Sequence, residues 1–170
     1  MLDGFDLVVP DGEHLAIVGP SGVGKSTLAA LLCGTLFPSS GGVCIGGVPV
    51  SALDRAALAR QRVVLPQEAY VFAGTVRENL TYHCPDATDG QLAGAADILG
   101  ATDMVQRLGG VRAWLDPAHL SAGERQLIAL TRAYLSPARI AVLDEARPTH
   151  PLAGRPHAIR PCPNVSFIRT

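Results

Sequence analysis

The stretch Gly19-Pro-Ser-Gly-Val-Gly-Lys-Ser-Thr27 decides how the rest of the chain is interpreted. Residues 19–26 fit the pattern G-x-x-x-x-G-K-[ST], in which a glycine-rich loop turns backbone N–H groups toward phosphate oxygens. An apolar run, His14–Val18, precedes the loop, and a helical pattern follows from Lys25 to about Cys33. A strand, a loop and a helix in this order predict a phosphate site at a helix N-terminus. An ordinary glycine-rich turn is the alternative.

Lys25 is the only lysine in a chain that has thirteen arginines. A lysine ammonium is a compact charge on a flexible stem, whereas the planar fork of arginine is bulkier. We therefore predict that Lys25 reaches the β- and γ-phosphates of a nucleotide and that the Ser26 hydroxyl binds Mg²⁺. The predicted nucleotide-binding residues of the loop are Gly19, Pro20, Ser21, Gly22, Val23, Gly24, Lys25, Ser26 and Thr27.

A second apolar run, Ile140–Leu143, ends on two acids, Asp144 and Glu145. In phosphate-loop proteins an acid at the tip of a buried strand helps to hold Mg²⁺, and this role is predicted for Asp144. Glu145 would act as general base toward the attacking water. Alone, the pair would fit a solvated strand end better, but the loop at 19–26 favours the catalytic interpretation.

Ser121 and Glu124 form an S-x-x-E capping box at the start of the strongest helical pattern, Ser121–Leu135. The box accounts for these two residues without any ligand. It does not account for Gly123, because glycine is unfavourable in a helix. A glycine at a helix N-terminus allows an anion to approach closely.

The other predicted elements alternate along the chain. Strands are predicted at Leu7–Val9, His14–Val18, Arg62–Leu65 and Ile140–Leu143, a hairpin at Val43–Val50, and helices at Lys25–Cys33, Asp54–Arg60 and Ser121–Leu135, with short helical pieces over Thr75–Leu108. This order predicts an α/β fold with a mostly parallel sheet, a small antiparallel part and a helical subdomain over about 75–135.

Composition narrows the class of protein. A length of 170 residues suits one domain, and a net charge of −1 argues against a nucleic-acid surface. The longest apolar run, Leu28–Phe37, is too short to span a bilayer, and no signal peptide or transmembrane segment is predicted. Four cysteines without a CxxC pair argue against a zinc site or a disulfide framework.

Taken together, the motifs resemble those of the nucleotide-binding domain of an ATP-binding cassette (ABC) transporter. GPSGVGKST resembles its Walker A loop, LSAGERQ at 120–126 its signature LSGGQ, and IAVLDEA at 140–146 its Walker B strand with the catalytic glutamate. The resemblance covers nearly all of a predicted domain over 1–146, and the signature segment makes it specific. It implies a P-loop NTPase fold and an ATPase that uses ATP and Mg²⁺.

The resemblance also implies roles for further residues. Gln67, within Leu65-Pro-Gln-Glu68, falls at the Q-loop and would contact Mg²⁺ and the attacking water. Ser121 and Gly123 would contact the γ-phosphate of an ATP held by a second ATPase domain in a head-to-tail dimer. The implied catalytic residues are Lys25, Gln67 and Glu145, and the implied metal ligands are Ser26, Gln67 and Asp144.

Phe72–Leu80 resembles the F-x-G-T-[IV]-R-E-N segment of exporter-type cassettes. The resemblance implies a transmembrane transporter partner and a position at the cytoplasmic face of the membrane. Tyr70 and Phe72 would lie near the groove that receives this partner. Packing in the core is the alternative for both aromatics.

Several features depart from the family pattern. Ala122 and Glu124 replace the usual glycine and glutamine of the signature, no adenine-stacking aromatic is assigned, and Phe5 is predicted to be core. Residues 147–170 contain five prolines, four arginines and no acid, and lack the D-loop pattern S-x-L-D. We predict an irregular tail there, with a frame shift as the hypothesis for its altered composition, a fold truncated at both ends and lacking its C-terminal part, and no switch role for His150 or His157.

Three functions are therefore weighed. The first is the ATP-hydrolysing domain of an exporter. The second is a catalytically inactive nucleotide-binding remnant of such a domain. The third, disfavoured by the absence of a basic patch, is a soluble ABC ATPase of DNA repair or translation.

Overall fold

The computed structural model describes residues 2–66 and 68–143, together with the backbone of 166–169. The chain forms two compact units. The sheet unit contains residues 2–66, 138–143 and 166–169, and the helical unit contains residues 68–137.

The strands are β1 (His14–Ala16), β2 (Cys44–Ile45), β3 (Val48–Pro49), β4 (Arg62–Leu65), β5 (Gly74–Thr75), β6 (Trp114–Leu115), β7 (Ile140–Leu143) and β8 (Ser166–Arg169). The α-helices are α1 (Lys25–Leu32), α2 (Arg55–Gln61), α3 (Val76–Leu80), α4 (Asp89–Ile98), α5 (Thr102–Arg107) and α6 (Ala122–Leu135). Short 3₁₀ turns cover Val50–Ala52 and Pro117–His119. None of the helices in the described part of the chain is long and apolar enough to cross a bilayer.

Parallel strands in the order β1-β8-β7-β4 form the main sheet of the sheet unit. Ala141 and Val142 of β7 are buried, and Val142 packs against Ala29 of α1 and Cys33, the C-cap of that helix. An apolar strand of this kind is buried on both faces, which is typical of parallel sheets. The parallel pairing agrees with the alternation of strands and helices in the sequence.

The predicted hairpin is confirmed as the antiparallel pair β2–β3, with Ile45 opposite Val48. The two residues of its turn, Gly46 and Gly47, have φ angles of +57° and +79°. A two-residue hairpin turn with positive φ at both positions favours glycine, which explains the Gly-Gly pair.

Helices α3 to α6 and the short ribbon β5–β6 form the helical unit. Its core is made of apolar residues from the four helices, β6 and the adjoining loops, among them the fully buried Val76, Leu80 and Ile128. Capping boxes begin α3 at Thr75, α4 at Thr88 and α6 at Ser121. These capping residues determine where the three helices begin.

Three predictions about local structure are wrong. Residues 7–9 are not a strand, and Val8 is 87 % exposed, because a short apolar run forms a strand only where a neighbouring backbone pairs with it. Phe5 is half exposed and does not belong to the core. The segment predicted to be irregular over 147–170 contains strand β8, whose four residues are too few to show a period and whose pairing on both sides with β1 and β7 defines it.

Candidate functional site

The predicted phosphate-binding loop connects β1 to α1 in the sheet unit. Gly22 and Gly24 have φ angles of +82° and +107°, a region that other residues rarely adopt. A Cβ atom at Gly19 would lie 3.0 Å from Val23 Cγ1, and one at Gly24 would lie 3.3 Å from Leu2 Cδ2. The fold itself therefore favours glycine at these three positions of the motif.

Gly24 is the N-cap of α1 and has no side chain with which to cap the helix. The first turn of α1 contains no acidic residue. A helix N-terminus without a carboxylate attracts an anion through its N–H groups and its dipole. Exposed loop and first-turn residues surround this end of the helix: Pro20, Ser21, Val23, Ser26 and Thr27.

The Lys25 ammonium lies inside the curve of the loop. Its Nζ donates hydrogen bonds to the carbonyl oxygens of Gly19 (2.8 Å) and Pro20 (3.0 Å). A lysine ammonium has three N–H donors, and here two of them satisfy loop carbonyls. The charge is thus held at the mouth of the loop, next to the N-terminus of α1, where it adds to the attraction for an anion.

Three predicted site segments follow strands whose carboxyl ends lie at the same edge of the sheet. Ala16, three residues before the loop, and Leu143, immediately before Asp144, both pair with Arg169 of β8. Leu143 is also paired with Leu65, two residues before Gln67. Because neighbouring strands are about 4.8 Å apart, the backbones of β1 and β7 at this edge are about 10 Å apart. The chain therefore leaves the same sheet edge toward each of the three motifs.

Gln67, Asp144 and Glu145 themselves lie outside the described residues, as do Ala146, His150 and His157. Their predicted roles, the boundary at 146 and the frameshift hypothesis stay predictions.

The predicted capping box at the start of α6 is confirmed. Ser121 Oγ accepts a hydrogen bond from the Glu124 backbone N–H (3.3 Å), and Glu124 Oε2 accepts from the Ser121 N–H and hydroxyl, both at 2.8 Å. The other carboxylate oxygen of Glu124 forms an ion pair with Arg107 of α5. The acid that departs from the family pattern is therefore partly neutralised and held by the cap.

Gly123 is exposed in the first turn of α6, and a Cβ atom added to it would contact nothing within 4 Å. Its φ angle is not in the positive region. The fold thus accepts alanine here, and alanine would favour the helix by about 1 kcal/mol. The glycine leaves open space beside Ser121 and Ala122, both of which are exposed.

The two aromatics after the Q-loop position have different environments. Tyr70 is 74 % exposed and is not a core residue, whereas Phe72 is half-buried against Tyr82, with 5.6 Å between the ring centroids. Hydrogen bonds from Thr75 to the exposed carboxylate of Glu78 complete the capping box of α3 and lower the pKa of Glu78. Residues 70–80 therefore combine a capped helix start with one exposed aromatic side chain, Tyr70.

Sequence reasoning missed Arg132, which is 8 % exposed in the interior of the helical unit. Its guanidinium donates hydrogen bonds to the backbone of Asn79 and Tyr70. Burial lowers the pKa of Arg132, and the nearby Tyr82 and Tyr70 partly offset this effect. A signal was present, because Arg132 follows Ile128 by four residues and so falls on the buried face of α6.

Comparison with known proteins agrees with the motifs in the sequence. A family profile described as "ABC transporter" matches residues 2–148. The ABC transporter ATP-binding protein RamB of Streptomyces coelicolor is 54 % identical over 146 residues, covering 86 % of this chain and 24 % of RamB.

More distant relatives carry transport names as well. The lactococcin transport/processing ATP-binding protein LcnC-like of Lactococcus lactis is 37 % identical over 150 residues, which cover 86 % of this chain and 21 % of the relative. The mycobactin import ATP-binding/permease protein IrtB of Mycobacterium tuberculosis is 39 % identical over 149 residues, which cover 86 % and 26 %. The chain thus spans about a quarter of the length of each of these relatives.

Proposed function

Because the chain belongs to the ABC transporter family and is an ATP-binding domain of that family, we propose that it hydrolyses ATP to drive transport across a membrane. The observation that carries the proposal is the glycine N-cap of α1 beside the Lys25 ammonium. A triphosphate suits this loop, because the loop combines a helix N-terminus, a cation and no carboxylate in its first turn.

ATP binding would use the loop residues 19–27. Lys25 would exchange the carbonyls of Gly19 and Pro20 for the β- and γ-phosphate oxygens, which are stronger acceptors because they are charged. The Ser26 hydroxyl, Asp144 and Gln67 would hold Mg²⁺. A bound Mg²⁺ neutralises part of the phosphate charge. Glu145 would accept a proton from the water that attacks the γ-phosphate.

A second ATPase domain would complete each site. Ser121 and Gly123 would approach the γ-phosphate bound by the opposite domain, and the open space beside Gly123 supports this role. The Ser121 hydroxyl currently donates to Glu124 Oε2. On binding a phosphate, it would redirect this hydrogen bond while its oxygen continues to cap α6.

We propose further that the transporter is an exporter and that this domain sits at the cytoplasmic face of the membrane beside a transmembrane partner. The segment Phe72–Leu80 supports export through its resemblance to exporter-type cassettes. The relative IrtB is named an ATP-binding/permease protein, which supports a membrane partner, although its name specifies import. The inactive alternative has no support from these relatives, which are named as ATP-binding proteins.

Phosphate release from the purified chain with Mg-ATP tests the proposal, with Glu145→Gln as the matched variant. We expect turnover that is lost in Glu145→Gln while ATP binding is kept. Absence of turnover in a folded wild-type sample that binds ATP would overturn the proposal that this chain hydrolyses ATP.

A further inference from the structure

Arg132 of α6 is charged and buried, and carbonyl oxygens surround its guanidinium. Nε donates to the Asn79 carbonyl at 2.5 Å, Nη2 donates to Asn79 Oδ1 at 2.6 Å, and Nη1 donates to the Tyr70 carbonyl. The three donors therefore join α6 both to the end of α3 and to the segment that precedes α3.

Two aromatic rings complete the environment of this cation. The guanidinium carbon of Arg132 lies 5.5 Å from the ring centroid of Phe72 and 5.6 Å from that of Tyr82. A cation near aromatic faces at this range is stabilised by the ring quadrupoles. The rings thus compensate part of the cost of burying the charge.

Asn79, which is fully buried, extends the same network along the backbone. Its Nδ2 donates to the carbonyls of Phe72 (2.9 Å) and Thr75 (3.1 Å), and its Oδ1 accepts from the Phe72 N–H (3.2 Å). Since Arg132 donates to the same Oδ1, it also fixes the orientation of this amide. Before β5 begins at Gly74, the backbone of 70–73 is therefore held by two buried side chains and not by a sheet or a helix.

We propose that Arg132 is a positioning residue that fixes residues 70–75 to α6. Tyr70 and Tyr82 form an exposed aromatic surface, which would therefore move together with that helix. Tyr70 and Tyr82 are 74 % and 60 % exposed, although the Tyr70 carbonyl and the Tyr82 ring both contact Arg132. Ser121 and Gly123 begin the same helix, eleven and nine residues before Arg132, about 16 and 13 Å along its axis. The inference rests on the proposed function, which assigns a nucleotide to the N-terminal end of α6 and a transmembrane partner to the aromatic surface.

Amide hydrogen exchange of the full chain tests the inference, with Arg132→Lys as the variant. Lysine keeps the positive charge but lacks the planar fork that reaches three acceptors. Hydrogen bonds to charged groups are strong enough that we expect exchange at Phe72 and its neighbours to become about tenfold faster. Exchange in α6 around Ile128, and the affinity for ATP, should change less than about twofold.

Arg125→Lys is the matched control, because Arg125 lies on the same helix and donates to the carbonyls of Pro117 and Leu120. We expect it to leave exchange at Phe72 unchanged. Equal acceleration throughout α6 and 70–75 in Arg132→Lys would show a general contribution to stability and overturn the inference, as would unchanged exchange at Phe72.

If Arg132→Lys does not fold, Asn79→Asp serves instead. The carboxylate keeps the acceptor for Arg132 and for the Phe72 N–H but removes both amide donors. Because Arg132 still anchors the segment, the inference requires that exchange at Phe72 accelerates by clearly less than about tenfold in this variant, and an acceleration of about tenfold or more would overturn it. Failure of the wild-type chain to bind ATP would reject the proposed function. The exchange measurements would still test the role of Arg132, because they do not require ATP.

Discussion

Glu124 is held between Arg107 of α5, which pairs with one carboxylate oxygen, and Ser121, which donates to the other. A glutamate at this position adds negative charge where the proposed function places a phosphate. The pairing with Arg107 offsets that charge, and the capping box aims the carboxylate at the protein backbone.

Glu124→Gln removes the charge and keeps a capping box, because glutamine serves equally well at this position. We expect association of two chains in the presence of ATP to become about two- to fivefold tighter, a change in keeping with one partly exposed charge pair. The free energy of unfolding should change by less than about 1 kcal/mol. Analytical ultracentrifugation with Mg-ATP and thermal unfolding measure the two quantities.

Arg107→Gln is the matched variant, because it removes the ion pair but leaves the carboxylate uncompensated. It should weaken the ATP-dependent association. A shift in the same direction in both variants would contradict the electrostatic explanation.

Lys25→Ala should weaken ATP binding at least tenfold, because a charge-assisted contact to phosphate is lost. The melting temperature should hardly change, since the carbonyls of Gly19 and Pro20 are exposed and water replaces the ammonium. Lys25→Arg should also bind poorly, because the fork is too bulky for the loop. Titration with a fluorescent ATP analogue measures both affinities, and full affinity in Lys25→Arg would refute the steric argument.

Gly24→Ala should destabilise the chain by about 1–3 kcal/mol, because a φ angle of +107° is strained for alanine. Gly123→Ala should instead stabilise it by up to about 1 kcal/mol, because its position is helical and open. Gly123→Ala should therefore lose ATP-dependent association without any loss of stability, in contrast to Gly24→Ala. Chemical denaturation gives the stabilities, and normal association of Gly123→Ala would argue against a phosphate at this helix end.

His83 should titrate below its value in the unfolded chain. Desolvation and then the positive charge of Arg132 lower its pKa, and its ring lies 5.1 Å from that of Tyr82. Because the native protein disfavours the charged imidazole, the associated stability is present above about pH 6.5 and is lost as the pH falls below that value. NMR titration with and without urea tests this, and a native midpoint equal to the unfolded one would contradict it.

Local sequence patterns predicted the elements that are defined by nearby residues. The loop at 19–26, the capping box of Ser121 and Glu124, and the Gly-Gly hairpin each follow from spacing alone. The buried strand Ile140–Leu143 was also predictable, because four apolar residues in succession fit a strand covered on both faces.

Features that depend on distant partners were not predictable in this way. Strand β8 exists through its pairing with β1 and β7, and Leu7–Val9, although apolar, is not a strand. The ion pair of Arg107 with Glu124 and the contact of Arg132 with Tyr70 join residues that are 17 and 62 positions apart. Such contacts depend on how helices pack, which no periodicity encodes.

The position of β8 between β1 and β7 also determines the order in which parts of the chain can fold during synthesis. The described residues of the helical unit, 68–137, form one continuous segment, and all of them are made before β8. The main sheet needs residues 166–169, which are made after the other described strands, before β1 has its neighbour. Domains generally fold as their segments become available. Since the phosphate loop extends directly from β1, the nascent chain would fold residues 68–137 before it can bind a nucleotide, because that capacity requires β8.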